Sequence, residues 1–131
     1  MTPYALLREL CGLSISEAAI FHDVRPDTVK SWVSGRNRAP LGALEELRGL
    51  AATIEQTADH WLEAFEAAPE GAEIEVGYPV DDHEAQTLDF PCIGAWRAAM
   101  ARAIAETDRA VILVPRGSTP ATAGAADMHG R

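Results

Sequence analysis

Leu13-Ser14-Ile15-Ser16-Glu17-Ala18-Ala19-Ile20-Phe21-His22-Asp23-Val24-Arg25-Pro26-Asp27-Thr28-Val29-Lys30-Ser31-Trp32-Val33-Ser34-Gly35-Arg36 is the stretch that decides the fold. Ser14 with Glu17 three residues on is a capping box, in which the hydroxyl caps and the carboxylate reaches back. A short helix follows through Ala18, Ala19 and Phe21 to about His22. Asp23-Val24-Arg25 reads as a turn. Pro26 then opens another helix, since proline fits the first helical position, and Gly35 ends it. Its inward residues are expected to be Val29 and Trp32. Upstream, Thr2 followed by Pro3 starts a first helix, Leu6, Leu7 and Leu10 are expected to form its apolar face, and Gly12 stops it. Downstream, residues 36–40 form a basic loop.

From Leu41 to Ala68 the chain reads as one long helix. Leu44, Leu47, Ala51, Ile54, Ala58, Trp61 and Phe65 recur at spacings of three and four, and Leu50 and Leu62 widen the stripe. The first half covers the three short helices. The second half, from Ile54, needs a further partner: the C-terminal part, a second subunit, or both. Pro69-Glu70-Gly71 breaks the helix. Glu73 to Tyr78 alternates with period two and reads as a half-buried strand. Residues 81–91 are expected to be a polar, acidic loop. Ile93, Trp96, Met100, Ala103 and Ile104 mark an amphipathic helix ending near Glu106, and Ala110 to Val114 is a buried strand. Strand, helix, strand implies parallel strands joined by a right-handed crossover. Two strands bury little, so completion of the sheet by a second subunit is expected. Residues 117–131 lack periodicity and read as a flexible tail. There is no internal repeat.

The chain has 131 residues and a formal charge of −9, which is unevenly spread. Residues 1–50 hold six basic and six acidic side chains, so the whole excess of acid falls in 51–131. Residues 25–38 hold four basic side chains and one acidic, a local +3. Salt screens charges more than about 8–10 Å away, so local charge governs contact with phosphates and the acidic total does not exclude nucleic acid. Cys11 and Cys92 have no CxxC spacing and read as two buried, reduced thiols. No apolar run reaches membrane length and no secretory signal is visible, so the expected location is cytoplasmic. Asp81-Asp82-His83-Glu84 has metal-binding chemistry, but four consecutive residues rarely converge on one ion, and a solvated acidic loop is favoured. The absence of a Gly-rich phosphate loop, HExxH or a nucleophile elbow argues against an enzyme. No cofactor is expected.

In register, Leu13 to Ala19, Val24, Thr28, Val29, Trp32 and Ser34-Gly35-Arg36 closely resemble the helix-turn-helix of the Cro/lambda-repressor type, the XRE family, without a gap. The resemblance implies that residues 26–34 enter the major groove of double-stranded DNA, with Pro26, Asp27, Lys30 and Ser31 facing the bases. It implies phosphate contacts from Ser14, Ser16, Arg25, Arg36, Asn37 and Arg38. Asp27 either favours the helix N-terminus or accepts from a cytosine amine. Val33 stands where the family usually has Glu, and His22 where it usually has Leu, which makes His22 a partly exposed histidine and leaves the packing beneath the second helix to Phe21.

The layout of motif, long helix and strand-helix-strand, with Cys92-Ile93-Gly94-Ala95-Trp96-Arg97, is more loosely similar to the anti-CRISPR-associated repressors of phages and related bacterial regulators. In that family the C-terminal part forms the dimer and the protein represses its own operon. The expected fold is therefore mainly α with a small α+β part. It comprises a helix-turn-helix domain with its linking helix (1–68), a strand-helix-strand dimerisation domain (69–116) and the tail. Ile54, Trp61, Phe65, Trp96, Ile112 and Val114 exceed what so short a segment is expected to bury alone and are assigned to the dimer interface. The expected function is a homodimeric repressor binding an inverted-repeat operator, probed against an alternative: an antitoxin-like protein whose acidic C-terminal half sequesters a protein partner.

Overall fold

The computed structural model describes residues 1–117, so all of the expected 117–131 tail except Gly117 lies outside the described residues. The described residues are mainly helical, with six helices and one two-stranded sheet: α1 (Pro3–Leu10), α2 (Ile15–His22), α3 (Pro26–Ser34), α4 (Leu41–Ala67), β1 (Glu73–Tyr78), α5 (Asp82–Thr87), α6 (Ile93–Glu106) and β2 (Ala110–Pro115). β1 and β2 are parallel, in register from Glu73 opposite Ala110 to Tyr78 opposite Pro115, and α6 is the crossover helix between them.

The helix ends follow local chemistry. Thr2 caps α1, its hydroxyl accepting from the Ala5 N–H at 3.1 Å and donating to the Trp32 carbonyl at 3.1 Å, so the start of α1 is tied to the end of α3. The Ser14/Glu17 capping box is formed in full. α2 ends on Asp23 in the left-handed region at φ 58°, a conformation that aspartate tolerates better than most residues. Residues 82–87 are a helix, not the expected loop. Asp81 caps it by accepting from the Glu84 N–H at 2.8 Å, and Glu84 accepts from the Val80 N–H at 2.8 Å. Asp82 in turn accepts from the Ile93 N–H at 2.9 Å and so caps α6 from a distance. The acidic run thus organises helix starts.

One continuous core joins the expected domains. Tyr4, Val29, Trp32 and Leu47 fill the space among α1–α4, and Ile54, Ala58, Trp61 and Phe65 carry the same helix stripe onto α6. There Trp61 meets Trp96 and Phe90 with ring centroids 5.8 and 6.0 Å apart. α1 turns a different face inward from the one expected. Tyr4 and Ala5 are buried, Leu7 is half-buried, and Leu6 and Leu10 face outward. The Tyr4 ring sets this rotation by packing edge-on against Trp32, centroids 5.3 Å apart. His22 is also inside, its side chain only 1 % exposed, with Nδ1 3.0 Å from a Glu46 carboxylate oxygen and its ring among Tyr4, Phe21 and Trp32. The His22 side chain is thus part of the core and not the partly exposed histidine expected from the sequence. Arg109, beside β2, donates to the carbonyls of Phe65, Glu66 and Ala68 and closes the C-terminus of α4, where a cation is favoured by the helix dipole.

Burial corrects most of the expected dimer interface. Trp61 is 0 % exposed within the single chain, and Ile54, Phe65 and Trp96 are buried with it. A side chain already covered by its own chain has no apolar surface left to offer a second copy. Val114 is half-buried, and Ile112 and its neighbour Leu113 remain 39 % and 42 % exposed. Both cysteines are free and buried, which pushes the Cys11 thiol up to about 11 and Cys92 to about 12. Among the described residues, no helix is long and apolar enough to cross a membrane.

Candidate nucleic-acid interface

α3 is amphipathic, and its position follows from that. Val29 and Trp32 bury one side against the α1–α4 core, which leaves Pro26, Asp27, Lys30 and Ser34 on the outer side. Helical geometry groups the same residues, because Asp27, Lys30 and Ser34 are spaced by three and four. Lys30 Nζ lies 3.9 Å from Asp27 Oδ1, and both are well exposed, so the pair is loose and either partner is free to exchange it for a ligand.

Ser31 is not on this surface. It is 3 % exposed and its hydroxyl donates to the Thr28 carbonyl at 2.7 Å. Its assignment as a base-facing residue is therefore withdrawn. The position lies one turn after Asp27 but rotates toward the Val29–Trp32 side. Ser34, which sequence reasoning passed over, takes its place on the exposed face. The signal was present as the i+4 neighbour of Lys30.

The flanks of α3 are exposed and basic. Arg25 precedes it and Arg36, Asn37 and Arg38 follow it, all at the surface. Gly35, at φ 84°, reverses the chain, its N–H and that of Asn37 both bonding to the Ser31 carbonyl. That left-handed step suits glycine and brings the arginine loop back beside the helix end. The other expected phosphate contacts, Ser14 and Ser16, are also exposed, at the start of α2. The Ser14 hydroxyl accepts from the Glu17 N–H at 3.0 Å and keeps its own proton for a further acceptor. The structure therefore places Ser14, Ser16, Arg25, Pro26, Asp27, Lys30, Arg36, Asn37 and Arg38 at the surface.

Glu17 is anchored at the edge of this surface. Burial works against its charge, but hydrogen bonds from the Ser14 N–H at 2.8 Å, the Gly94 N–H at 3.4 Å and the Cys92 thiol hold its carboxyl below the ordinary glutamate value. The capping residue of α2 is thus also a tie to α6.

No protein-family model matches the chain, and no curated protein is similar enough to count as a relative.

Proposed function

We propose that the protein is a sequence-specific DNA-binding regulator of transcription that docks α3 in the major groove. The observation that carries this reading is the division of α3. Its apolar side is fully spent on the core, while Asp27, Lys30 and Ser34 stand outward between the exposed arginines at 25, 36 and 38. A helix so held fits the major groove, and donors on its flanks fit the phosphates on either side. The reading needs no cofactor.

The regulator acts as a homodimer on an inverted repeat, and its own promoter is the natural target for repression. One motif reads few base pairs, and two linked copies gain through effective concentration. The surface that supports pairing is the outer edge of β2, which lacks lysine and charge and leaves Ile112 and Leu113 exposed. An edge of that kind invites another strand. The same edge also favours the second reading, an antitoxin-like protein that binds a different protein there.

Selection of bound duplexes from a randomised pool, with the intact protein, tests the main reading. The expected result is a two-fold symmetric consensus whose preference changes at one or two symmetric positions with Lys30→Gln. Recovery of no consensus, or of the same consensus with that variant, would sink it. Sedimentation of the intact protein separates the two partner readings. A dimer at micromolar concentration supports self-pairing, whereas a monomer that binds DNA weakly leaves the edge to a different protein.

A further inference from the structure

α6 lies directly against the turn between α1 and α2. A Cβ built on Gly94 would stand 2.0 Å from the Gly12 carbonyl oxygen, and one built on Gly12 would stand 2.3 Å from that of Gly94. Only two glycines allow this approach, and Glu17 bonds across it to the Gly94 N–H. The contact fixes α6 to the helix-turn-helix, so whatever α6 carries moves with α3.

Along this seam runs an open groove of about 910 Å³, lined among others by Ser14, Arg8, Arg97 and Arg102. Arg8 gives one guanidinium N–H to the Leu13 carbonyl. Arg97 is exposed and Arg102 half-exposed, and among the described residues neither has an ion pair or a hydrogen-bond acceptor. Three carboxylates, Glu9, Glu17 and Asp82, also line the groove, and Arg102 borders a smaller cleft with Glu55, Asp59 and Glu106 as well. Glu17 is committed to Ser14 and Gly94, and Asp82 to the Ile93 N–H, which leaves Glu9 at the rim. Arg97 and Arg102 are five residues apart, about 7.5 Å along the helix axis.

We infer that this groove is a second phosphate-binding surface: Arg97 and Arg102 of α6 hold the backbone of the same duplex that α3 reads, beyond the phosphates at Ser14 and Ser16. The inference rests on the DNA-binding reading and extends it to the C-terminal half. The two arginines that no carboxylate pairs with among the described residues, and continuity through Ser14, commit the groove to a nucleic-acid backbone. Guanidinium groups without protein partners are suited to bidentate phosphate contact. The acidic C-terminal half would thus contribute to DNA affinity through two of its few cations.

The test compares the intact protein with Arg97→Ala/Arg102→Ala, using Arg36→Ala/Arg38→Ala as the reference, on one operator duplex over a range of salt. The groove variant should bind roughly threefold to tenfold more weakly at low salt. Its slope of log affinity against log salt should fall by about 0.9 for each phosphate lost, with the base preference unchanged. Phosphate-ethylation interference should lose at least one position per half-site that the loop variant retains. Glu9→Gln should act in the opposite direction and tighten binding. If the loop variant weakens binding while the groove variant leaves both slope and interference pattern intact, the groove inference falls and the DNA reading stands. If the intact protein binds no duplex, both fall together. Circular dichroism and thermal unfolding of the groove variant, whose two positions are at least partly exposed, check that the fold is retained.

Discussion

The apolar stripe of α4 and the apolar run of β2 look alike as sequence, yet they meet opposite fates. Ile54, Trp61 and Phe65 disappear against Trp96 and the rest of α6 inside one chain, whereas Ile112 and Leu113 stay partly bare on a strand with one neighbour among the described residues. A helix stripe can be closed by a single antagonist helix. A strand has two edges as well as two faces, and a two-stranded sheet covers only one edge of each strand. Surplus apolar residues therefore point to a second chain only after the first chain's own pairings have been exhausted.

The sharpest way to break this contrast is Trp61→Ala. If Trp61 belongs to the interior of one chain, its removal should cost about 3–5 kcal/mol of unfolding free energy. The loss should be the same at every protein concentration in denaturant titrations. A loss that shrinks on concentrating the protein would return Trp61 to an intermolecular contact.

Gly94→Ala tests the seam that locks α6 in place. Alanine in a free helix is favoured over glycine by up to about 1 kcal/mol, so helix propensity alone predicts a gain. The clash with the Gly12 carbonyl predicts instead a loss of about 1–3 kcal/mol. Thermal unfolding reports the sign directly.

Glu17→Gln probes the same seam through its charge. Because hydrogen bonds hold the Glu17 carboxyl below its ordinary value, its contribution is full above the unfolded-state pKa. It is lost as the pH falls through that value toward the lowered one. The stability gap between the parent and the variant should therefore be widest near neutral pH and close as the pH falls through and below the ordinary glutamate range. A gap independent of pH would mean that the carboxylate is held by shape alone.

Ile112→Lys should leave the unfolding free energy of the single chain within about 0.5 kcal/mol, because the side chain is substantially exposed. A lysine on a sheet edge opposes strand addition, so the proposed dimer should give way to monomer in sedimentation. An unchanged dimer would move the pairing surface elsewhere.

Much of the fold could be read where one residue type has one local role. The capping box at Ser14 and Glu17, the proline and glycine that bracket α3, and the strand-helix-strand order with its parallel sheet are of this kind. What escaped was decided by distant partners. The rotation of α1 depends on Tyr4 meeting Trp32, and the burial of Ser31 depends on how far the Val29–Trp32 side reaches into the core. α5 is six residues long, too short for periodicity to show. Its Asp81-to-Glu84 capping spacing was the available signal, and the reading of residues 81–91 as a solvated acidic loop passed over it. At the candidate interface, all but Ser31 of the residues expected to face DNA are accessible, because a register match indicates which positions of a helix point outward. The arginines of α6 could not be found this way, since only the fold brings them beside Ser14.

The sheet register also imposes an order on synthesis. Glu73 pairs with Ala110, so β1 leaves the ribosome 37 residues before the strand it pairs with. The helices α1 to α3 and the first half of α4, which pack on one another, can assemble during that interval. β1 must wait with its ladder groups unpaired until the last described strand emerges. A ribosome that stalls within α6 would therefore hold a nascent chain whose N-terminal helices are already packed and whose sheet is still open.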